Sequence, residues 1–338
     1  MEIRRSATRL NVLQKLVCCH QNPHNIQPES EERDSPAEPV KEAKEHFPPS
    51  DPQHLLDDAV YETVSVGTLP PLHYLNETIF EKTVSEREDV ENVLSRTAEQ
   101  RSDLISGVYE GGLKVWECTY DLLEVIDREG ETFGDKVVLD LGCGAGLLGI
   151  LSLKRGARQV HFQDYNSTVI EQLTVSNVIL NCHDDDSKGE GEATLEMEED
   201  CKLNTKDGSL PRKRRALDAA SQHPLLSRCK FYSGDWRTFL TLASNQETQL
   251  KYDIILTSET IYNTAYYPAL HDALHKLLAA HGVVYLATKA HYFGVGGGLH
   301  LFETFVVERG VFSLDHLWDS EDGLQRHVVV LRFKKESE

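Results

Sequence analysis

Apolar positions along this chain follow two rhythms. Val137, Val138, Leu139 and Leu141 form a short aliphatic run, the mark of a strand buried on both faces of a parallel sheet. Gln159–Asp164, Cys229–Trp236, Tyr252–Ser258 and Gly282–Thr288 repeat that texture. Between them the spacing turns helical, over Leu113–Asp127, Leu147–Lys154, Val169–Leu180, Tyr267–Ala280 and Leu299–Arg309. Asn166 or Ser167 is placed to cap the third of these helices. Val311–Trp318 and His327–Phe333 end the chain as two strands about a turn at Glu321-Asp-Gly323. Such alternation predicts an α/β domain: a mostly parallel sheet, helices on both faces and a C-terminal antiparallel hairpin.

The first hundred residues break the rhythm. Residues 1–58 are expected to be mostly disordered, because Pro, Glu, Ser and Asp dominate 21–58. Met1–His20 is basic with a possible apolar face, which fits either a short surface helix or a targeting presequence. Residues 59–101 read as an extended arm or cover, since Pro70-Pro71 forbids a helix among Tyr61, Val64, Val66, Leu69, Leu72 and Tyr74. The folded domain is expected over 102–338, interrupted by a disordered insert at 183–224. His183–Ser209 carries ten acids against three lysines. Pro211-Arg-Lys-Arg-Arg215 follows as a candidate nuclear import signal, consistent with a place in cytoplasm and nucleus.

Charge and cysteines narrow the class. A net charge of −20 speaks against direct nucleic-acid binding and allows a basic partner surface. Seven scattered cysteines without a C-x-x-C pair point to neither a disulfide framework nor a metal site. No apolar run is long enough to span a bilayer. His271 and His275 share a helix face without the Glu or third ligand of a zinc motif, so helix surface is expected there. Gly294–Gly298 reads as either a mobile lid or a tight turn.

The chemistry gathers after the first buried strand. Gly142, Gly144 and Gly146 turn the chain into a helix, which leaves bare N–H groups at the positive end of a helix dipole. Gly144-Ala-Gly-Leu-Leu-Gly149 matches the dinucleotide fingerprint, with Asp164 near the place of its ribose acid. Three features favour S-adenosylmethionine over a nicotinamide dinucleotide. Asp140 closes the strand where a pyrophosphate would be repelled, and can orient the loop or reach a cofactor's amino-acid end. About 136 residues precede that strand and could cover a ligand. Gly234-Asp-Trp236 would put an acid and a flat ring beside an adenine.

Asp140 to Gly149, Gln163-Asp-Tyr-Asn166 and Ser258-Glu-Thr-Ile-Tyr262 resemble the class I, seven-strand, Rossmann-like methyltransferases. Ser106–Thr119, His161–Asn166, Leu256–Asn263 and Lys289–Gly298 resemble, more narrowly, the protein-histidine methyltransferases of the methyltransferase-like family. The resemblance implies transfer of a methyl group from S-adenosylmethionine to the tau nitrogen of a histidine in a large-subunit ribosomal protein; a monomer is expected. It also implies that Val115, Trp116, Glu117, Cys118 and Thr119 border the cofactor, and that Gly142, Gly144 and Gly146 approach its amino-acid part. Asp164 would take the ribose hydroxyls, with Gln163, Tyr165 and Asn166 beside it, while Gly234, Asp235 and Trp236 frame the adenine. Ser258 and Glu259 would floor the transferred methyl and Tyr262 would line the substrate channel. A carboxylate or carbonyl near Glu259 is expected to hold the imidazole N–H. The alternative for Glu259 is a purely structural cap.

Overall fold

Residues 40–49, 52–56, 59–76, 93–100, 102, 104–186, 225–245, 251–320 and 323–335 are described by a computed structural model. Ten strands are defined among them. They are β1 (Lys44–His46), β2 (Tyr61–Val64), β3 (Leu72–Leu75), β4 (Val137–Leu141), β5 (Gln159–Asp164), β6 (Cys229–Ser233), β7 (Tyr252–Ser258), β8 (Leu278–Lys289), β9 (Phe312–Asp319) and β10 (Arg326–Phe333). Eight form one sheet in the order β1-β6-β5-β4-β7-β8-β10-β9. β4, β5, β6, β7 and β8 run parallel. β10 lies antiparallel between β8 and β9, and β1 is antiparallel to β6. Chain order reverses at β4, so a crevice opens at its C-terminal end, where open α/β sheets bind ligands.

Alternation along the strands sorts the core into two layers. Val138, Val160, Phe162, Ile254, Leu256 and Val328 face α2 (Glu117–Glu129), α3 (Leu147–Lys154) and α4 (Val175–Asp186), which follow the short α1 (Val93–Gln100). Leu139, Leu141, Ile255, Val284, Leu286 and Val329 face α5 (Trp236–Ser244), α6 (Tyr267–Leu277) and α7 (Leu299–Arg309). The period-two pleat makes this division automatic.

Several boundaries differ from those the sequence predicts. The helix expected from Leu113 begins at Glu117, because Trp116 is extended at φ −85°, ψ 155°. The strand expected to run to Trp236 stops at Ser233, and Trp236 opens helix α5, which the spacing analysis missed. Asp235 caps that helix by accepting from the Arg237 N–H. The helix expected through Ala280 ends at Leu277, since Leu278–Ala280 already belong to β8. Before α4 a π-helical turn spans Val169–Thr174. Within the acidic N-terminal stretch, Lys44–His46 folds onto the sheet edge instead of remaining apart. The basic N-terminus, the acidic insert from 187 onward and Pro211–Arg215 lie outside the described residues.

The arm forms a hairpin, β2 paired with β3, with Leu69, Leu72 and Leu75 buried. Two asparagines one helical turn apart on α4 hold it. Leu75 N–H donates to Asn177 Oδ1 at 2.9 Å, and His73 N–H to Asn181 Oδ1 at 3.0 Å. Among the described residues no helix is long and apolar enough to cross a membrane. His271, expected at the surface, is buried with its ring edge-on to Phe305 and Phe312.

Candidate active site

The glycine loop follows β4, with Gly142, Gly144 and Gly146 at φ 70°, 49° and 78°. Side chains rarely adopt that region, and at Gly144 a Cβ would also stand 3.0 Å from the Gly112 carbonyl oxygen. The π turn brings Thr174 under the loop, where its hydroxyl donates to the Gly144 carbonyl at 2.7 Å. Asn177 adds a second tie, donating to the Ala145 carbonyl at 2.9 Å.

Two carboxylates flank this loop and do different work. Asp140 points inward and accepts from the Gly149 N–H at 2.9 Å. Burial pushes its carboxyl up to about 8. The Gly149 contact is the loop-orienting role the sequence allows it. Asp164 ends β5 and accepts from Gly144 N–H at 3.0 Å through one oxygen and from Asn166 N–H at 3.1 Å through the other. Burial raises it to about 6. Backbone N–H groups of Gly144, Tyr165 and Asn166 hold the carboxylate, which keeps lone-pair capacity for ribose hydroxyls, so this acceptor fits an adenosine-bearing cofactor.

A cover lies directly on the loop. A Cβ on Gly112 would come within 2.9 Å of an Asp164 carboxylate oxygen, so only glycine fits there. Tyr165 and Asn166, expected beside the ribose, fasten the cover. The Tyr165 hydroxyl donates to the Gly107 carbonyl at 2.9 Å, and the Asn166 amide donates to the Val108 carbonyl at 2.8 Å. The Trp116 indole N–H donates to the Gly111 carbonyl at 3.0 Å. Val115 lines a cavity of about 230 Å³ together with Leu113, Tyr120, Ala145 and Leu173, on the hairpin side of the loop.

Glu110, which sequence reasoning passed over, projects from this cover into an aromatic cluster. It accepts from the Tyr262 hydroxyl, from Tyr266 at 3.0 Å and from the Gly107 N–H at 2.6 Å. The Tyr262 ring also meets Tyr266 and Tyr292 edge-on, at 5.8 and 6.3 Å between centroids. Burial and the neighbouring Glu110 push the Tyr262 hydroxyl far above its ordinary range. Gly294–Gly298 resolves as a tight turn docked on this cluster, with Gly297 N–H donating to the Tyr262 carbonyl at 2.8 Å.

Glu259 sits at φ 60°, a strained backbone for a non-glycine residue, and its N–H donates to the Ala287 carbonyl at 2.9 Å. Its carboxylate is engaged. It accepts from the Cys118 N–H at 3.4 Å, at the N-terminus of α2, and pairs with Lys289 at 3.3 Å. Lys289 also meets Glu117 at 3.0 Å and lies 5.0 Å from the Trp116 ring centroid. The structural alternative for Glu259 therefore has the geometry, except that it caps α2 and not the segment following it. Ser258 is tied to the same helix, accepting from the Thr119 hydroxyl at 3.2 Å. Burial, with Glu259 alongside, pushes the Cys118 thiol well up.

The residues expected at the adenine end are tied into the fold. Burial acts to raise Asp235, yet hydrogen bonds from Arg237 hold it below the usual carboxylate range. Both its oxygens are engaged by the Arg237 side chain, at 2.9 Å each. Trp236 donates to Gln163 Oε1 at 3.0 Å, and Gln163 donates onward to the Gly234 carbonyl at 2.8 Å. These contacts lock β5 to the start of α5. Lys41 lies over the Tyr165 ring at 4.6 Å, which adds the N-terminal segment to this edge.

A methyltransferase-domain family model matches residues 117–319. The chain is 46% identical to a Bos taurus histidine protein methyltransferase 1 homolog, over 87% of this chain and 74% of that one. It is 44% identical to the Mus musculus homolog, over 88% and 76% of the two chains. Histidine protein methyltransferase 1 of Saccharomyces cerevisiae is 28% identical, over 69% and 67%.

Proposed function

The chain belongs to the histidine protein methyltransferase 1 family and takes S-adenosylmethionine as its methyl donor; on that premise we propose that it methylates the tau nitrogen of a histidine in a large-subunit ribosomal protein. It does so as a monomer in cytoplasm and nucleus, with Pro211–Arg215 as the import signal. The donor supplies a methyl group already activated by a sulfonium charge, so the protein's task is alignment and proton control. Asp164 holds the ribose hydroxyls, while the glycine loop at 142–146 and the N-terminus of α3 approach the amino-acid part. Trp116 and Thr119 wall the site from the side of α2.

The observation that carries the reading is Glu110, a carboxylate held by two phenols and a backbone N–H beside Tyr262. All three partners are hydrogen-bond donors. It can accept the N–H of an incoming imidazole and so present the other ring nitrogen, neutral and with its lone pair free, to the methyl group. After transfer it faces the positive ring that has formed. Glu259, engaged by Lys289 and α2, shapes the floor.

Labelled methyl transfer into ribosomal proteins, followed by acid hydrolysis, tests the proposal. Tau-methylhistidine in a large-subunit protein is expected. Methyllysine or the pi isomer as the sole product overturns it.

A further inference from the structure

Away from the glycine loop, the last two strands gather a second set of ligating side chains. His316 lies within β9, Asp319 at its end, and His327 near the start of β10 directly opposite Asp319. Nδ1 of His316 is 3.0 Å from Asp319 Oδ1, and Nδ1 of His327 is 2.5 Å from the same oxygen. All three donor atoms lie within 4.8 Å of one another. Behind His316, Glu303 of α7 meets the ring's other nitrogen at 2.6 Å.

We propose that His316, Asp319 and His327 form a zinc site that pins β9 to β10, with water completing the tetrahedron. Two imidazole nitrogens and one carboxylate oxygen are a donor set zinc accepts, and three protein ligands plus water is a common arrangement. Donors around a tetrahedral zinc stand about 3.3 Å apart, so the two imidazole nitrogens, within 4.8 Å of each other, close on the ion while Asp319 draws back slightly from both rings. Its side chain is 56% exposed and is free to do so. Glu303 supplies what metal-binding imidazoles regularly have, a carboxylate on the far nitrogen. It holds the proton on Nε2 of His316 and leaves the Nδ1 lone pair for the metal. The site's outer face is open, since His316 is 42% exposed, which gives the ion a path of entry. Composition and cysteine spacing do not reveal it, because its members lie on neighbouring strands and follow no metal-motif spacing.

Full-length protein, stripped with a chelator and desalted, is titrated with zinc against a chromophoric competitor, and separately with cobalt(II) as a visible reporter. One equivalent of zinc and a cobalt spectrum of nitrogen–oxygen type are expected. Both should be lost in His316→Gln/His327→Gln, while methyl transfer is retained. Glu303→Gln should weaken zinc binding by about 10- to 100-fold. Should the double variant fail to fold, Asp319→Asn is read in its place. No stoichiometric binding, unchanged binding in the variants, or a thiolate charge-transfer band overturns the assignment.

Discussion

Asp164 is where proton concentration should act most directly on cofactor binding. Burial lifts its pKa to about 6, so the folded chain holds an extra proton between the ordinary carboxylate range and that value. Two consequences follow with definite sign. In the free protein, this group's contribution to stability falls as pH rises across that window. Affinity for the demethylated cofactor, by contrast, should fall as pH drops through about 6, because a protonated acid is a poorer acceptor for ribose hydroxyls. Calorimetry below, at and above that pH checks it, and Asp164→Asn should weaken binding on the order of 10- to 100-fold. Two other carboxylates separate chemistry from architecture. Glu110→Gln should lower kcat at least tenfold without shifting the unfolding midpoint. Glu259→Gln should cost roughly 2 kcal/mol in urea denaturation through its lost pairing with Lys289, with regiochemistry intact.

Among elements, α4 is the one that couples distant parts. Asn177 grips the hairpin through Leu75 and the glycine loop through Ala145, whereas Asn181 grips only the hairpin and its own helix. Asn177→Ala should therefore reduce both stability, by about 2–4 kcal/mol for two buried groups left unpaired, and cofactor affinity. Asn181→Ala should reduce stability alone, and paired denaturation and calorimetry separate the two. The elements also show where sequence reading slips. Trp236, Phe239, Leu240 and Ala243 carry a plain helical spacing, but Asp235-Trp236 reads equally as an acid–aromatic pair for a ligand, which hides α5. Leu113–Trp116 has apolar residues at helical steps but is drawn out across the glycine loop by tertiary contacts.

At the scale of the whole molecule, a net charge of −20 should attract a basic substrate over distance. Raising ionic strength should then lower kcat/KM toward a basic ribosomal protein while leaving affinity for the cofactor product nearly constant, as initial rates and calorimetry at two salt levels would show. The sequence by itself determined the parallel sheet, the strand–glycine–helix turn and the acid at the end of β5. Those follow from local periodicity and from backbone angles that glycine reaches most readily. Only the tertiary structure decided that Glu110 meets Tyr262, that Glu259 turns to α2 and Lys289, and that Asp235 is taken by Arg237. Glu110 and Tyr262 are 152 positions apart and Glu259 and Cys118 are 141 apart, and no spacing rule encodes a partner at that distance. Asp235 is the instructive exception, since its partner lies two residues away and a helix start had to be seen first.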